Sequence, residues 1–330
     1  MIIEKSILLS VSKEDIPENG KFVVPDGVTE IGEAVFFECK LLKEIYFPKS
    51  LISIRDHTFY NCKFLEKIHI CDGLISIGNF AFCGCESLRE INLPESVQKI
   101  SEGTFWYCKS LKEIYLPQKI TSIAVDVFRE CESLEEIHLP KNLERIDHFA
   151  FFRCTSLKEV RIPENVTSVS VCAFKHCQNL HFIQWGENYY TVRCIDGYCM
   201  HIKNQKYLRD IKILRCSYFP NKGIVYVAEK DEYTAHGKTV REAVEDLLFK
   251  ILQAQDMTVH IQRIVAQGYM DANDYRLITG ACREGTNHFL EVHNLTWDDK
   301  MSVQDVLKLV EGEYGFERFR EVADQILELT

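Results

Sequence analysis

Fourteen cysteines and eleven histidines hold most of the reactive potential of this 330-residue chain. A thiol attacks an electrophile or binds a soft metal only as the thiolate, which needs a base or a cation beside it. Cys282 has His288 six residues on, and with His236 these are the residues around which an enzyme would be built. No orienting third group can be assigned to them from the sequence, and a buried helix cysteine accounts for Cys282 more simply. Cys194, Cys199, His201 and Cys216 carry zinc-competent atoms, but intervals of four, one and fourteen residues match no zinc knuckle. His236-Gly-Lys-Thr ends like a phosphate loop, yet Glu232 stands where the first glycine is required, and its charge repels phosphate. The second half shows no His-x-x-x-His and no Gly-x-Ser-x-Gly. We therefore expect no catalytic residue, no metal ligand and no cofactor.

Half of the cysteines have a different explanation. Cys39, Cys62, Cys85, Cys108, Cys131, Cys154 and Cys177 recur every 23 residues. At the same interval run Leu42 to Leu180, Ile45 to Ile183, Phe36 to Phe174 and, in most copies, a proline such as Pro48, Pro94 or Pro117. A unit with so many apolar positions cannot bury them against itself, so copies must stack and share a core. Around Leu111 to Pro117, the alternation turns Ile114 and Leu116 inward on a short strand and Glu113 and Tyr115 outward. The proline that follows lacks an N–H and ends the strand. Phenylalanine and cysteine fill the far wall, stacked about 4.8 Å apart along the axis, so the seven thiols read as buried filler.

The pattern Leu-x-x-Ile-x-Leu-Pro-x-x-Leu-x-x-Ile-x-x-x-x-Phe-x-x-Cys, from Leu111 to Cys131, closely resembles the BspA-type leucine-rich repeat family. The resemblance covers about residues 19–202, with Glu187 to Cys199 as a divergent closing unit. It implies a right-handed, β-rich solenoid of 23-residue repeats with strands on a concave face, and a role in protein binding or surface interaction. The expected organisation is an N-terminal cap at 1–18, the solenoid at 19–202 and a small, mainly helical α+β domain at 203–330.

On such a strand face two outward columns adjoin. Glu44, Lys67, Glu90, Glu113, Glu136 and Glu159 form a mainly acidic one; Tyr46, His69, Asn92, Tyr115, His138 and Arg161 form a mixed, ring-rich one. Tyrosine and arginine are enriched among residues that dominate binding energy, and strands about 4.8 Å apart supply the roughly 800 Å² a standard interface needs. These twelve residues are the candidate partner-binding site, and a protein with a basic surface suits them.

In the second half, the basic stretch from Lys203 to Arg215 reads as strand or hairpin. Residues 223–237 read as two strands, and Thr239 to Glu242 as a capping box opening a helix. Asp271 is placed to cap a helix running through Tyr275, Leu277, Ala281 and Phe289, and Ser302 another through Val310. Gly312 and Gly315 bracket a break before a last helix, and three or four short helices with a few strands make a compact α+β unit. The run Ala235 to Lys250 resembles uncharacterised bacterial and phage-borne proteins and is faintly similar to HicB-like antitoxins.

Composition bounds the function. With 46% hydrophobic and 27% charged residues the chain is an ordinary globular protein, and its net charge of −10 does not favour nucleic acid or anionic lipid. No stretch reaches the roughly 18 apolar residues of a membrane span, and residues 1–10 do not read as a signal peptide. Free thiols in this number suit a reducing cytosol. The favoured reading is a noncatalytic protein that binds a protein partner through the repeats, with a C-terminal accessory domain. The alternative is an enzyme, or a toxin- or defence-neutralising protein, whose activity lies in the C-terminal domain and whose repeats select the target.

Overall fold

The computed structural model describes residues 1–195, 197–220, 222–254, 257–281, 283–311 and 316–329. Cys282, Gly312 and Gly315 lie outside the described residues. The chain divides into two compact units, one of residues 1–204 and 215–224, the other of residues 205–214 and 225–330.

The first unit is a β-solenoid. All coils but one have a short strand, of three residues at Lys21–Val23, Glu44–Tyr46, Lys67–His69, Glu113–Tyr115 and Glu136–His138, lengthening to Glu159–Ile162 and Phe182–Trp185 at the end. A second limb carries two-residue strands, from Glu30–Ile31 to Ser168–Val169, that also pair in parallel from coil to coil. At the N-terminal end, Ile2–Glu4 and Ile7–Ser10 make an antiparallel hairpin whose second strand pairs in parallel with Glu30–Ile31. The third limb is a chain of tight turns closed by Phe and Cys. Here the Phe N–H reaches the next coil, as from Phe82 to the Thr104 carbonyl (2.9 Å) and from Phe105 to that of Val127 (2.9 Å).

Burial follows the repeat columns. Leu42, Leu65, Leu88, Leu111, Leu134 and Leu157 are all fully buried. The seven phenylalanines from Phe36 to Phe174 stack face to face, with ring centroids 5.0 to 5.8 Å apart and planes within 11°. Phe22 and Phe219 close the two ends of this ladder edge-on, the T-shaped geometry that sets the positive rim of one ring against the negative face of another. Tight turns force left-handed backbone at non-glycine residues such as His57, Phe80 and Phe149. In one coil Gly103 takes this place (φ +58°), and the Phe80 ring lies where its Cβ would be.

Two expectations about the repeats need correction. Glu90–Asn92 forms no strand, only a single bridge from Glu90 to Glu113, and asparagine, poor at filling a pleated surface, stands there in place of a ring. Cys39 is half-buried, whereas Cys62, Cys85, Cys108, Cys131, Cys154 and Cys177 are buried.

In the second unit, α1 (Val240–Gln253) packs its apolar side on Tyr233–Gly237, joining Ala243 and Leu247 to Ile211, Ile213, Ala228 and Ala235. Thr239 caps it by accepting from Glu242 N–H (3.2 Å). The Glu242 carboxylate accepts from Lys238 N–H rather than from the cap residue, so the capping box is displaced by one residue. The helices α2 (Thr258–Gln267), α3 (Ala272–Thr279), α4 (Arg283–Val292), α5 (Val303–Leu309) and α6 (Phe316–Glu328) share another core centred on Ile264, Tyr275, Phe289 and Phe319. Among the described residues this unit has six helices where three or four were expected. The helix capped by Asp271 stops at Gly280, which adopts left-handed backbone (φ 77°), so Phe289 belongs to a separate helix.

Candidate protein-binding face

The three-residue strands set the face. Their middle residues, Ile45, Ile68, Ile114 and Ile137, are buried in the core, so the residues on either side must point away from it. Of the twelve candidate residues, Glu44, Tyr46 and His138 are half-buried and the other nine exposed. Parallel pairing brings like positions together: Glu44 is registered with Lys21 on one side and Lys67 on the other, and Tyr46 with His69. Glu113 is registered with Glu136, and Tyr115 with His138.

This register produces the same arrangement twice. The Tyr46 and His69 rings stack at 4.1 Å and 4°, and the Tyr115 and His138 rings at 3.9 Å and 3°. The Tyr46 hydroxyl donates to Glu44 Oε1 (2.7 Å), which also lies 2.7 Å from His69 Nε2. Glu113 Oε1 likewise lies 2.8 Å from His138 Nε2. Lys21 Nζ adds an ion pair to Glu44 at 2.7 Å. Bonds from Lys21, Tyr46 and His69 bring the Glu44 carboxyl down to about 2, and Tyr115 and His138 lower that of Glu113. Both tyrosine hydroxyls are in turn pushed up by the neighbouring carboxylates. At Glu159 the partner changes, and Arg161 Nε donates across 2.9 Å.

Asn92 separates the two arrangements. Around it the ladder opens into a groove of about 740 Å³ bordered by Lys67, Arg89, Glu90, Lys112 and Tyr115. Beyond Arg161 the face continues into Phe182, 57% exposed, and Tyr189, 77% exposed. Phe182 is registered with Glu159, and Gln184 joins Arg161 to Tyr189. Lys21, Phe182 and Gln184 extend the two columns by one unit at either end, a signal present in the same period.

A second patterned surface was missed. The residue after each ladder phenylalanine runs Phe37, Tyr60, Cys83, Trp106, Arg129, Phe152, Lys175 and, in the closing unit, Tyr198. The Arg129 guanidinium sits 4.8 Å from both the Trp106 and Phe152 ring centroids, with Asp126 at 3.2 Å. Lys175 lies 4.3 Å over Tyr198, and Phe37 stacks on Tyr60 at 5.1 Å. Residue type varies along this column, so identity at a fixed shift did not reveal it.

The reactive candidates are dispersed. His236 is half-buried on Tyr233–Gly237, His288 is exposed on α4, and Cys282 lies outside the described residues. Cys194 and Cys199 are cross-strand neighbours, Cys199 and Cys216 being buried. Among the described residues, one trio has donor atoms placed to share a metal ion: Glu113, Glu136 and His138, within 4.8 Å of one another. In the second unit, Leu248, Phe249, Leu252 and Leu277 line a groove of about 660 Å³ in which Arg263 pairs with buried Asp274 and Arg276 with Asp246 (2.9 Å). Burial raises the Asp274 carboxyl. No described helix is long and apolar enough to cross a membrane.

A family model for the BspA type leucine-rich repeat region, with six copies, matches residues 18–134, 53–181 and 99–224. No curated protein matches the chain. Among solved structures, a leucine-rich cell surface protein of Faecalibacterium prausnitzii is 26% identical, with a TM-score of 0.49 over 58% of this chain and 56% of that one. The chain thus spans little more than half of that protein. A leucine-rich repeat protein of T. pallidum is 30% identical, with a TM-score of 0.47 over 50% of this chain and 79% of that one. One from Bacteroides ovatus is 26% identical, with a TM-score of 0.38 over 50% of this chain and 55% of that one.

Proposed function

Because the chain belongs to the BspA-type leucine-rich repeat family, we propose that it is a noncatalytic interaction protein that holds a protein partner on the face of its three-residue strands. The observation that carries this reading is the duplicated Glu–Tyr–His arrangement. Tyr46 with His69 and Tyr115 with His138 are held flat by stacking, with a carboxylate bonded to both rings of the first pair and to His138 in the second, so little side-chain freedom remains to be lost on binding. Tyr115 stays 58% exposed despite these restraints. Aromatic rings on a rigid sheet are the residue type that anchors interfaces. The column Glu90, Glu113, Glu136 and Glu159 suits a partner with a basic surface, where charge guides encounter and discriminates among partners. The helical unit serves as an accessory in this reading, tethering the complex or contacting the same partner.

The test is capture by the full chain at physiological salt, compared with Tyr115→Ala, Glu113→Lys and a control change at Phe37. Loss with the first two and retention with the control supports the face. Equal capture by all the variants, or no captured protein at all, contradicts it.

A further inference from the structure

The two Glu–Tyr–His arrangements differ in what flanks the carboxylate. Glu44 is registered between Lys21 and Lys67, and the Lys21 ammonium sits on it at 2.7 Å. The equivalent Glu113 is registered between Glu90 and Glu136. Like charges directly opposite on neighbouring strands repel, so this position lacks the cation that its sister takes from the chain. His138, on the strand of Glu136, turns Nε2 toward both carboxylates, 2.8 Å from Glu113 Oε1 and 3.7 Å from Glu136 Oε2.

We infer that Glu113, Glu136 and His138 form a binding site for a divalent transition ion of the zinc type. Zinc holds imidazole nitrogen and carboxylate oxygen at about 2.0 to 2.2 Å, which places donors about 3 to 4 Å apart around it. The donor atoms here already lie within 4.8 Å of one another, so side-chain rotation alone closes the site. One imidazole and two carboxylates suit zinc and its neighbours rather than calcium, which takes six to eight oxygens. Water completes the coordination on the open side. Tyr115 supplies the outer support by stacking on the His138 ring, which fixes the imidazole ligand. The sister arrangement has Lys67 in place of Glu136, and its ammonium excludes a metal. The site shares its residues with the proposed partner-binding face but requires no protein partner, so a titration of the chain alone tests it separately from that reading.

Calorimetric titration of the full chain with zinc chloride, under a reductant that does not bind zinc, tests this. Wild type is expected to show one binding event that disappears in both Glu136→Lys and His138→Ala. Tyr115→Ala removes the ring that holds His138 in place and weakens binding about tenfold. Lys67→Glu combined with Lys21→Ala, which removes the ammonium paired with Glu44, rebuilds the trio on Glu44 and His69 and adds a second event. All the substituted residues lie on the surface face, and unchanged melting shows that each variant is folded. Absence of zinc binding, equal binding by Glu136→Lys, or calcium binding as tight as zinc overturns the inference.

Discussion

The Cys108 thiol donates a hydrogen bond to the Phe82 carbonyl, 3.2 Å away in the preceding coil. The same carbonyl accepts the Cys85 N–H within its own turn, also at 3.2 Å. The relationship recurs from Cys62 to Phe36, Cys85 to Phe59, Cys131 to Phe105, Cys154 to Phe128 and Cys177 to Phe151. These thiols are thus more than filler. Each satisfies the second lone pair of a buried carbonyl and ties one coil to the next.

Removing one such tie combines a small cavity with a lost bond. Cys108→Ala is expected to destabilise the chain by about 1 to 2 kcal/mol. Cys108→Val fills the space but donates nothing, so its residual loss reports the hydrogen bond alone. Denaturant melts of the two variants separate these contributions.

Phe105 is fully buried between Phe82 at 5.8 Å and Phe128 at 5.7 Å. Replacing it by alanine opens a cavity within the ladder and should cost about 3 to 5 kcal/mol. Tyr115→Ala, at an exposed position, should shift the melt little, and chemical denaturation checks both.

Burial raises the Cys85, Cys108, Cys154 and Cys177 thiols well above their ordinary value and pushes Cys83 up to about 12. They are therefore protonated and shielded at neutral pH. Alkylation of the native chain should mark the half-buried Cys39, Cys71, Cys172 and Cys194 first among the described cysteines. The ladder should react only on unfolding, and peptide mapping over time reads the order.

Glu44 titrates near 2 in the folded chain, against 4.5 for a free glutamate. A depressed carboxylate contributes stability that is present above pH 4.5 and is lost as the pH falls toward about 2. The stability gap between wild type and Glu44→Gln should therefore narrow across that window. Melts at a series of acid pH values measure it.

Much of the first unit was legible because a solenoid turns sequence period into spatial column. The inward Ile114 and outward Tyr115 follow from alternation alone. The stack of Tyr115 on His138 needs the parallel register, which places equivalent residues side by side. The break at Asn92 was hidden because its column looked continuous, although one asparagine among rings was the sign. Arg129 went unread because its column changes residue type from coil to coil. In the helical unit, α3 and α4 carry apolar residues on one continuing period, and the left-handed Gly280 that ends α3 was not foreseen.

The central claim is that the strand face holds the partner. Hydroxyl-radical footprinting of the full chain, alone and with its captured partner, tests it at side-chain level. The account predicts that Tyr115, Tyr46, His69 and His138 lose reactivity in the complex while Phe37 keeps it. Unchanged Tyr115 and His138, with protection confined to Phe37 or to the helices α1 to α6, would contradict it.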